Sequence, residues 1–122
     1  MHYGSQGGKN VVVRNNLATD PAANNGMDVS VFGTTGHPVD SATISGNVIL
    51  RGGGWNGTNR HGMNVASGTG TFASSYTNAT LTRNTIRDSR RAGLNIGPAL
   101  VNLTTSCNLI IQQFKESGYV RE

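Results

Sequence analysis

The apolar residues of the chain fall in short blocks that alternate with polar residues, and four of these blocks share one pattern. They read VVRNNL, ISGNVI, LTRNTI and TSCNLI, at residues 12–17, 44–49, 81–86 and 105–110. Each has an aliphatic residue two positions after an Asn, which aligns Asn15, Asn47, Asn84 and Asn108. Apolar–polar alternation over so few residues is typical of β-strands.

A Gly followed by a short apolar stretch comes after each block. These stretches read GMDV, GMNV, GLNI and GYVR, and they begin at Gly26, Gly62, Gly93 and Gly118. Two markers that recur in the same order four times indicate an internal repeat, with loops of variable length inserted in the first two copies. We interpret each copy as two short strands, which could bury an apolar face only by stacking on a neighbouring copy.

We therefore predict a solenoid of parallel strands in which equivalent residues lie over one another at about 4.8 Å. One apolar stack would contain Val12, Ile44 and Leu81, and a second would contain Met27, Met63, Leu94 and Tyr119. The four repeat Asn would form a ladder, because Asn tolerates a left-handed turn and its amide can bond to the next Asn. A β-sandwich of hairpins is the alternative, although dipeptides typical of hairpin turns are few.

The composition agrees with many short strands and turns. The chain has 122 residues, of which 17 are Gly and only 13% are charged. It contains no apolar run long enough to span a membrane as a helix. Its single cysteine, Cys107, permits neither an internal disulfide nor a Cys-based metal site, and we expect it to be a small buried apolar residue. We expect no cofactor and no metal.

The net charge of +4 favours a polyanionic partner, either a nucleic acid or an acidic polysaccharide. Nucleic-acid binding would require clustered Lys and interleaved aromatic residues. Lys is nearly absent here, and the Arg residues are scattered apart from Arg83, Arg87, Arg90 and Arg91. Nucleic acid is therefore the less favoured partner.

The Asn-x-aliphatic and Gly-Met/Leu-x-Val/Ile markers, repeated from Lys9 to Arg121, resemble the repeats of right-handed parallel β-helix proteins in the pectate-lyase-like superfamily. The resemblance implies an all-β right-handed parallel β-helix of about four rungs, with a groove that holds an extended carbohydrate chain. We expect a single domain over residues 1–122, with rungs that begin near residues 11, 43, 80 and 104. Polysaccharide lyases, glycoside hydrolases, sugar epimerases and phage tailspikes share this fold, so the resemblance implies no single activity.

Members that act as enzymes are longer and carry a capping helix. Four rungs would expose strand edges and apolar faces at both ends of the solenoid. We therefore expect the chain to be a fragment of a longer protein, or to be covered by partner chains, as in a homotrimer.

The candidate site residues lie on the Gly markers, on the RDSRRAG turn and on the GGGWNGTNRHG insertion. A carboxylate or imidazole can move protons, a guanidinium fits a carboxylate, an amide fits hydroxyls and an indole can stack on a sugar ring. The candidate catalytic residues are Asp28, His61, Arg87 and Asp88. The candidate substrate-binding residues are Trp55, Arg60, Asn64, Arg90, Arg91 and Asn95.

Each candidate also has a structural interpretation. Asp28, Asn64 and Asn95 form an outward polar column that could be purely structural. Arg51 and Asp88 could pair across neighbouring rungs in a solvated turn. Trp55 could anchor its loop, and His61 could be an ordinary surface histidine.

We expect a carbohydrate-binding or polysaccharide-degrading segment that acts on an extended acidic glycan, outside the cell or on a virion surface. If it is an enzyme, the reaction would be that of a polysaccharide lyase or a glycoside hydrolase. No two Asp candidates are adjacent in sequence, so the carboxylate pair of a hydrolase is not evident. The alternative is a non-catalytic β-helix scaffold of a spike, tail or surface adhesin.

Overall fold

A computed structural model describes residues 2–5, 8–19, 25–31, 39–52, 61–65, 76–97 and 100–112. Within these ranges the protein is all-β, with thirteen strands and no helix. The strands are β1 (His2–Ser5), β2 (Gly8–Lys9), β3 (Val12–Arg14), β4 (Leu17–Thr19), β5 (Met27–Val31), β6 (Val39–Ser45), β7 (Val48–Leu50), β8 (Met63–Val65), β9 (Tyr76–Thr82), β10 (Thr85–Arg87), β11 (Leu94–Ile96), β12 (Leu100–Ser106) and β13 (Leu109–Ile111). The described part of the chain contains no helix that is long and apolar enough to cross a membrane.

The strands form three parallel sheets. Sheet A contains β1, β5, β8 and β11, sheet B contains β2, β3, β6, β9 and β12, and sheet C contains β4, β7, β10 and β13. Along the chain, strands of sheets A, B and C follow one another in that order four times, and we call each such round a pass. In every sheet, the strand of one pass pairs with the strand of the previous pass. This order is compatible with a parallel β-helix.

Each pass has at least one strand in each of the three sheets, and the first pass has two in sheet B, so the prediction of two strands per copy is wrong. The Asn blocks are not single strands, because each changes from sheet B to sheet C at its Asn. Asn84, for example, lies between β9 and β10. The bend at the Asn therefore divides each Asn block, which alternates like a single strand in the sequence, between two strands.

The core consists of aliphatic columns that run through the sheets. Met27, Met63 and Leu94 are in register in sheet A, which confirms this part of the second predicted stack. Tyr119, its fourth member, lies outside the described residues. Ile49 and Ile86 pair in sheet C, and both are buried. Equivalent apolar side chains of successive passes therefore bury one another.

The Asn ladder forms between sheets B and C. Asn47 N and Nδ2 donate to Asn84 Oδ1 at 3.1 and 2.9 Å, and Asn84 N and Nδ2 donate to Asn108 Oδ1 at 3.0 and 2.9 Å. The ladder is thus confirmed for these three residues.

In the first copy the ladder residue is Asn16, not the predicted Asn15. Asn16 N and Nδ2 donate to Asn47 Oδ1 at 3.1 and 3.0 Å. Asn15 has a φ of 54°, and residues in the same left-handed conformation precede the other ladder residues: Gly46, Arg83 and Cys107. Asn15 and Asn16 are each followed two positions later by an aliphatic residue, Leu17 and Ala18, so the local pattern does not distinguish them.

The one-residue shift also exchanges the two faces of the first copy. Val13, rather than Val12, pairs with Ile44, which in turn pairs with Leu81. The first predicted stack is therefore wrong at Val12 and confirmed for Ile44 and Leu81. The exposed fractions are 3% for Val13 and 7% for Ala18, against 56% for Val12 and 61% for Leu17.

Cys107 is exposed, so the prediction that it is buried is wrong. It has a φ of 55° at the corner between sheets B and C. The equivalent residues Asn15 and Arg83 are exposed as well, because this corner directs its side chains away from the core.

Candidate functional site

The RDSRRAG turn lies at the corner between sheets C and A, where it meets the preceding pass of the chain. Arg51 follows β7 and Asp88 follows β10, and their φ angles of 54° and 55° give both passes the same left-handed turn. Arg51 N donates to Arg87 O at 2.9 Å, and Arg90 N donates to Gly52 O at 2.9 Å. These bonds hold the two passes together. We call the surface formed by Arg51, Arg87, Asp88, Arg90 and Arg91 the arginine corner.

The arginine corner is a cationic surface. It carries four guanidinium groups and one carboxylate, and Arg51, Arg87 and Arg91 are exposed. Arg90 and Asp88, whose side chain is the one carboxylate, are half-buried. Like charges held this close produce a positive potential that favours an anionic ligand. The structure therefore brings together four predicted site residues and adds Arg51 from the preceding pass. The four are Arg87, Asp88, Arg90 and Arg91.

The segment that contains Trp55 and Arg60 begins and ends at this corner. Gly52 and His61 flank it, and a Cβ placed on Gly52 would lie 2.9 Å from Gly62 Cα. The two ends of the segment are therefore in close contact. Trp55 and Arg60 themselves lie outside the described residues, so their predicted roles stay predictions.

His61 lies where the chain enters sheet A. Its backbone N donates to Asn25 Oδ1 at 2.8 Å, and its carbonyl oxygen accepts from Gly26 N at 3.1 Å. The residue is half-buried, and its ring Nδ1 atom is buried. It is thus less accessible than the ordinary surface histidine we considered from the sequence.

The polar column of sheet A has the predicted register, with Asp28 beside Asn64 and Asn64 beside Asn95. Asn95 Nδ2 donates to Asn64 Oδ1 at 2.7 Å. Asn64 is only 5% exposed, although it lies on the face opposite to the core residues Met63 and Val65. The two amides bond to each other, which disfavours direct glycan contact by Asn64. The side chain of Asp28 lies outside the described part of the structure.

The described side chains do not form the carboxylate pair of a glycoside hydrolase at the arginine corner, where Asp88 is the only carboxylate. Across the described ranges, no group of three His, Cys, Asp or Glu side chains could hold a metal ion. The chemistry present at the corner is that of guanidinium groups, which bind carboxylates, sulfates and phosphates.

A second polar cluster, which the sequence analysis did not identify, lies around Asp40 in sheet B. Asp40 Oδ1 accepts from Asn78 Nδ2 at 2.9 Å and from the hydroxyls of Ser41 and Thr77 at 3.3 Å each. The Asn78 bond, followed by those of Ser41 and Thr77 and by the charge of Lys9, lowers the pKa of Asp40, while partial burial opposes this shift. Parallel pairing brings these residues together from three passes, so no short stretch of the sequence contains the whole cluster.

The chain was compared with protein-family models, with curated proteins and with solved structures, and none of them matched. A functional interpretation therefore depends on features of this chain alone. They are the three parallel sheets and, at one of their corners, a cluster of arginines from successive passes.

Proposed function

We propose that the protein is a segment of a right-handed parallel β-helix, of the pectate-lyase-like kind, that binds an extended acidic glycan outside the cell or on a virion surface. The parallel strands and their repeated sheet order support a β-helix. The right hand is supported by the general preference of parallel crossovers, about 98% of which are right-handed.

The arginine corner is the observation that carries the binding proposal. Arg51, Arg87 and Arg91 are exposed and arise from a rigid backbone that hydrogen bonds join across two passes. A planar guanidinium can bind a carboxylate with two parallel hydrogen bonds, and neighbouring guanidiniums can bind successive charges of a polymer. A uronate-containing glycan supplies such charges at regular intervals.

The amino-acid composition favours a glycan over a nucleic acid as the ligand. Proteins that bind single-stranded nucleic acid stack the bases on aromatic side chains, and only 6% of this chain is aromatic. Asn and Thr side chains, which are frequent on the strands, match sugar hydroxyls.

If the protein also cleaves its glycan, a lyase reaction suits the described residues better than hydrolysis. Hydrolysis requires two carboxylates at a set separation. A lyase requires a base and a cation that neutralises the uronate carboxylate, and Arg87, His61 and Asp28 would be the residues to test.

The test is a titration of the purified protein with polygalacturonate and with alginate, and with dextran as a neutral control. We expect both polyuronates, but not dextran, to bind at low salt, with affinity that falls as salt rises. Arg87→Thr introduces the residue found at the equivalent Thr19, and Arg51→Asn suits a left-handed turn. The double variant should bind about tenfold more weakly, whereas Arg14→Ser on sheet B should not. Failure of both polyuronates to bind at low salt would refute the proposal.

The second candidate function is a structural scaffold, which the exposed core positions of the last described strands favour. Ile110 lies beside the buried Ile86 in sheet C but is 45% exposed. An exposed core position of this kind is suited to contact with a partner subunit. The molar mass from light scattering distinguishes the two functions, because a scaffold should form a trimer or larger species and bind neither polyuronate.

A further inference from the structure

The outer face of sheet C carries a cationic row along β10. Thr85 and Arg87 point outward on either side of the buried Ile86, since side chains alternate along a strand. Arg83 lies at the opposite corner, next to sheet B, where it is exposed with a φ of 56°. The row therefore runs Arg83, Thr85, Arg87 from one corner of the sheet to the other.

Aliphatic residues flank this row on both sides. Val48 and Leu50 of β7 pair with Thr85 and Arg87 from below, and Leu109 and Ile111 of β13 pair with them from above. Leu109 is exposed, and the other three are half-buried. The outer face of sheet C is thus a polar strip between two apolar strips.

Sheet B has a different outer face. On its inner strands β6 and β9 the outward positions pair Thr43 with Thr80 and Ser45 with Thr82, whereas its outer strands β3 and β12 expose Val12 and Val101. The inner strands of the two sheets therefore differ, because β7 of sheet C has Val48 and Leu50 at its outward positions where β6 of sheet B has Thr43 and Ser45. What distinguishes sheet C is that aliphatic residues flank a row of arginines on its inner strand β10.

The charge on this part of the molecule favours an anion. Five of the seven Lys and Arg residues in the described ranges lie on sheet C or at its corners: Arg51, Arg83, Arg87, Arg90 and Arg91. Among the residues described there, Asp88 is the only acid. Self-association through this face is disfavoured, because each copy would present the same excess of positive charge to the other.

We propose that the acidic glycan lies across the outer face of sheet C, along β10, and that Arg83 is a further binding residue. The two arginines of the row are four residues apart, which is at most about 13 Å along a strand. Each guanidinium would bind one carboxylate, the Thr85 hydroxyl would bond to a sugar hydroxyl, and the flanking aliphatic residues would contact the C–H faces of the sugar rings. The inference rests on the proposed glycan binding and assigns it to a surface other than the polar column of sheet A.

The experiment measures the affinity of polygalacturonate oligosaccharides of two lengths, one too short to reach beyond the arginine corner. The variant is Arg83→Asn, because Asn15 occupies the equivalent left-handed position in the first copy. We expect it to weaken binding of the long oligosaccharide about three- to tenfold and to leave the short one unchanged. Arg83→Lys should lose less, since it keeps the charge but not the planar fork.

Arg14→Ser is the matched control, because Arg14 is exposed on the outer face of sheet B and Ser45 occupies its equivalent position. Wild-type affinity in Arg83→Asn, combined with a loss in Arg87→Thr, would overturn the inference and leave the proposed function intact. Equal losses in Arg14→Ser and Arg83→Asn would also overturn it, because they would indicate a general effect of charge. So would equally tight binding of a single-stranded oligonucleotide. Absence of binding by the wild type would refute both proposals.

Discussion

Removal of the Asn84 side chain tests the central element of the fold. Asn84 is 1% exposed, and its amide makes four hydrogen bonds. Nδ2 donates to Ile44 O and Asn108 Oδ1 at 2.9 Å each, and Oδ1 accepts from the N and Nδ2 atoms of Asn47 at 3.1 and 2.9 Å. An amide has two donor hydrogens and two acceptor lone pairs, so all of its bonding capacity is used.

The substitution Asn84→Ala leaves the carbonyl of Ile44 and the N–H of Asn47 without this partner in a buried site. Each such backbone group costs about 1–3 kcal/mol when its hydrogen bond is lost, and the vacated volume adds to the cost. We therefore expect the free energy of unfolding to fall by about 3–6 kcal/mol, out of the roughly 5–15 kcal/mol of a typical domain.

Urea denaturation followed by far-ultraviolet circular dichroism measures this loss. Asn102→Gly is the matched control, because Asn102 is exposed, has a φ of 60° and makes one bond, to Asn78 Oδ1 at 3.2 Å. Gly retains the left-handed conformation, so the control should lose less than about 1 kcal/mol. A loss in Asn84→Ala as small as that of the control would refute the view that the ladder stabilises the stacked passes.

Three further predictions concern other parts of the molecule. Gly62→Ala should lower the melting temperature strongly or prevent folding, because its Cβ would lie 2.7 Å from the Gly93 carbonyl oxygen, which cannot move independently of the sheet; a thermal melt like that of the wild type would contradict this packing. The lowered pKa of Asp40 means that its carboxylate adds stability above about pH 4 that is lost as the pH falls through the folded-state pKa. Asp40→Asn should therefore flatten the acid limb of melting temperature against pH, and an unchanged limb would show that the cluster does not hold the carboxylate. Cys107 should react with a thiol reagent in the folded protein without denaturant, whereas a requirement for denaturant would show that it is covered.

Much of the strand arrangement follows from the sequence because the copies resemble one another. Ile44 and Leu81, and Met27 and Met63, occupy matching places in their copies, and the structure pairs them as predicted. Parallel strands with one buried face hold their register strongly, since a shift of one residue would expose the apolar side chains. Similar copies with similar alternation therefore determine their own pairing.

The same alternation did not determine the register of the first copy. Asn15 and Asn16 both fit the marker, and the preceding run of three Val gives no preference between faces. In the structure Val13 lies over Ile44 and the Asn16 amide bonds to Asn47, and Asn15 takes the left-handed position before it. The choice depends on the neighbouring pass, which a local pattern does not contain.

The sequence by itself determined that short parallel strands stack, because the repeat leaves each copy with an apolar face that only another copy can cover. It also pointed to the RDSRRAG turn as a cationic element. The equal spacing from Asn47 and Asn84 also predicted that Arg51 lies beside Asp88 of this turn, and the structure gives both residues the same left-handed turn in successive passes. Only the tertiary structure decided that Arg83 and Arg87 share one face with flanking aliphatic residues. Leu50 and Ile111 come from the passes before and after Arg87, and pairing between successive strands of one sheet, not sequence distance, makes them its neighbours.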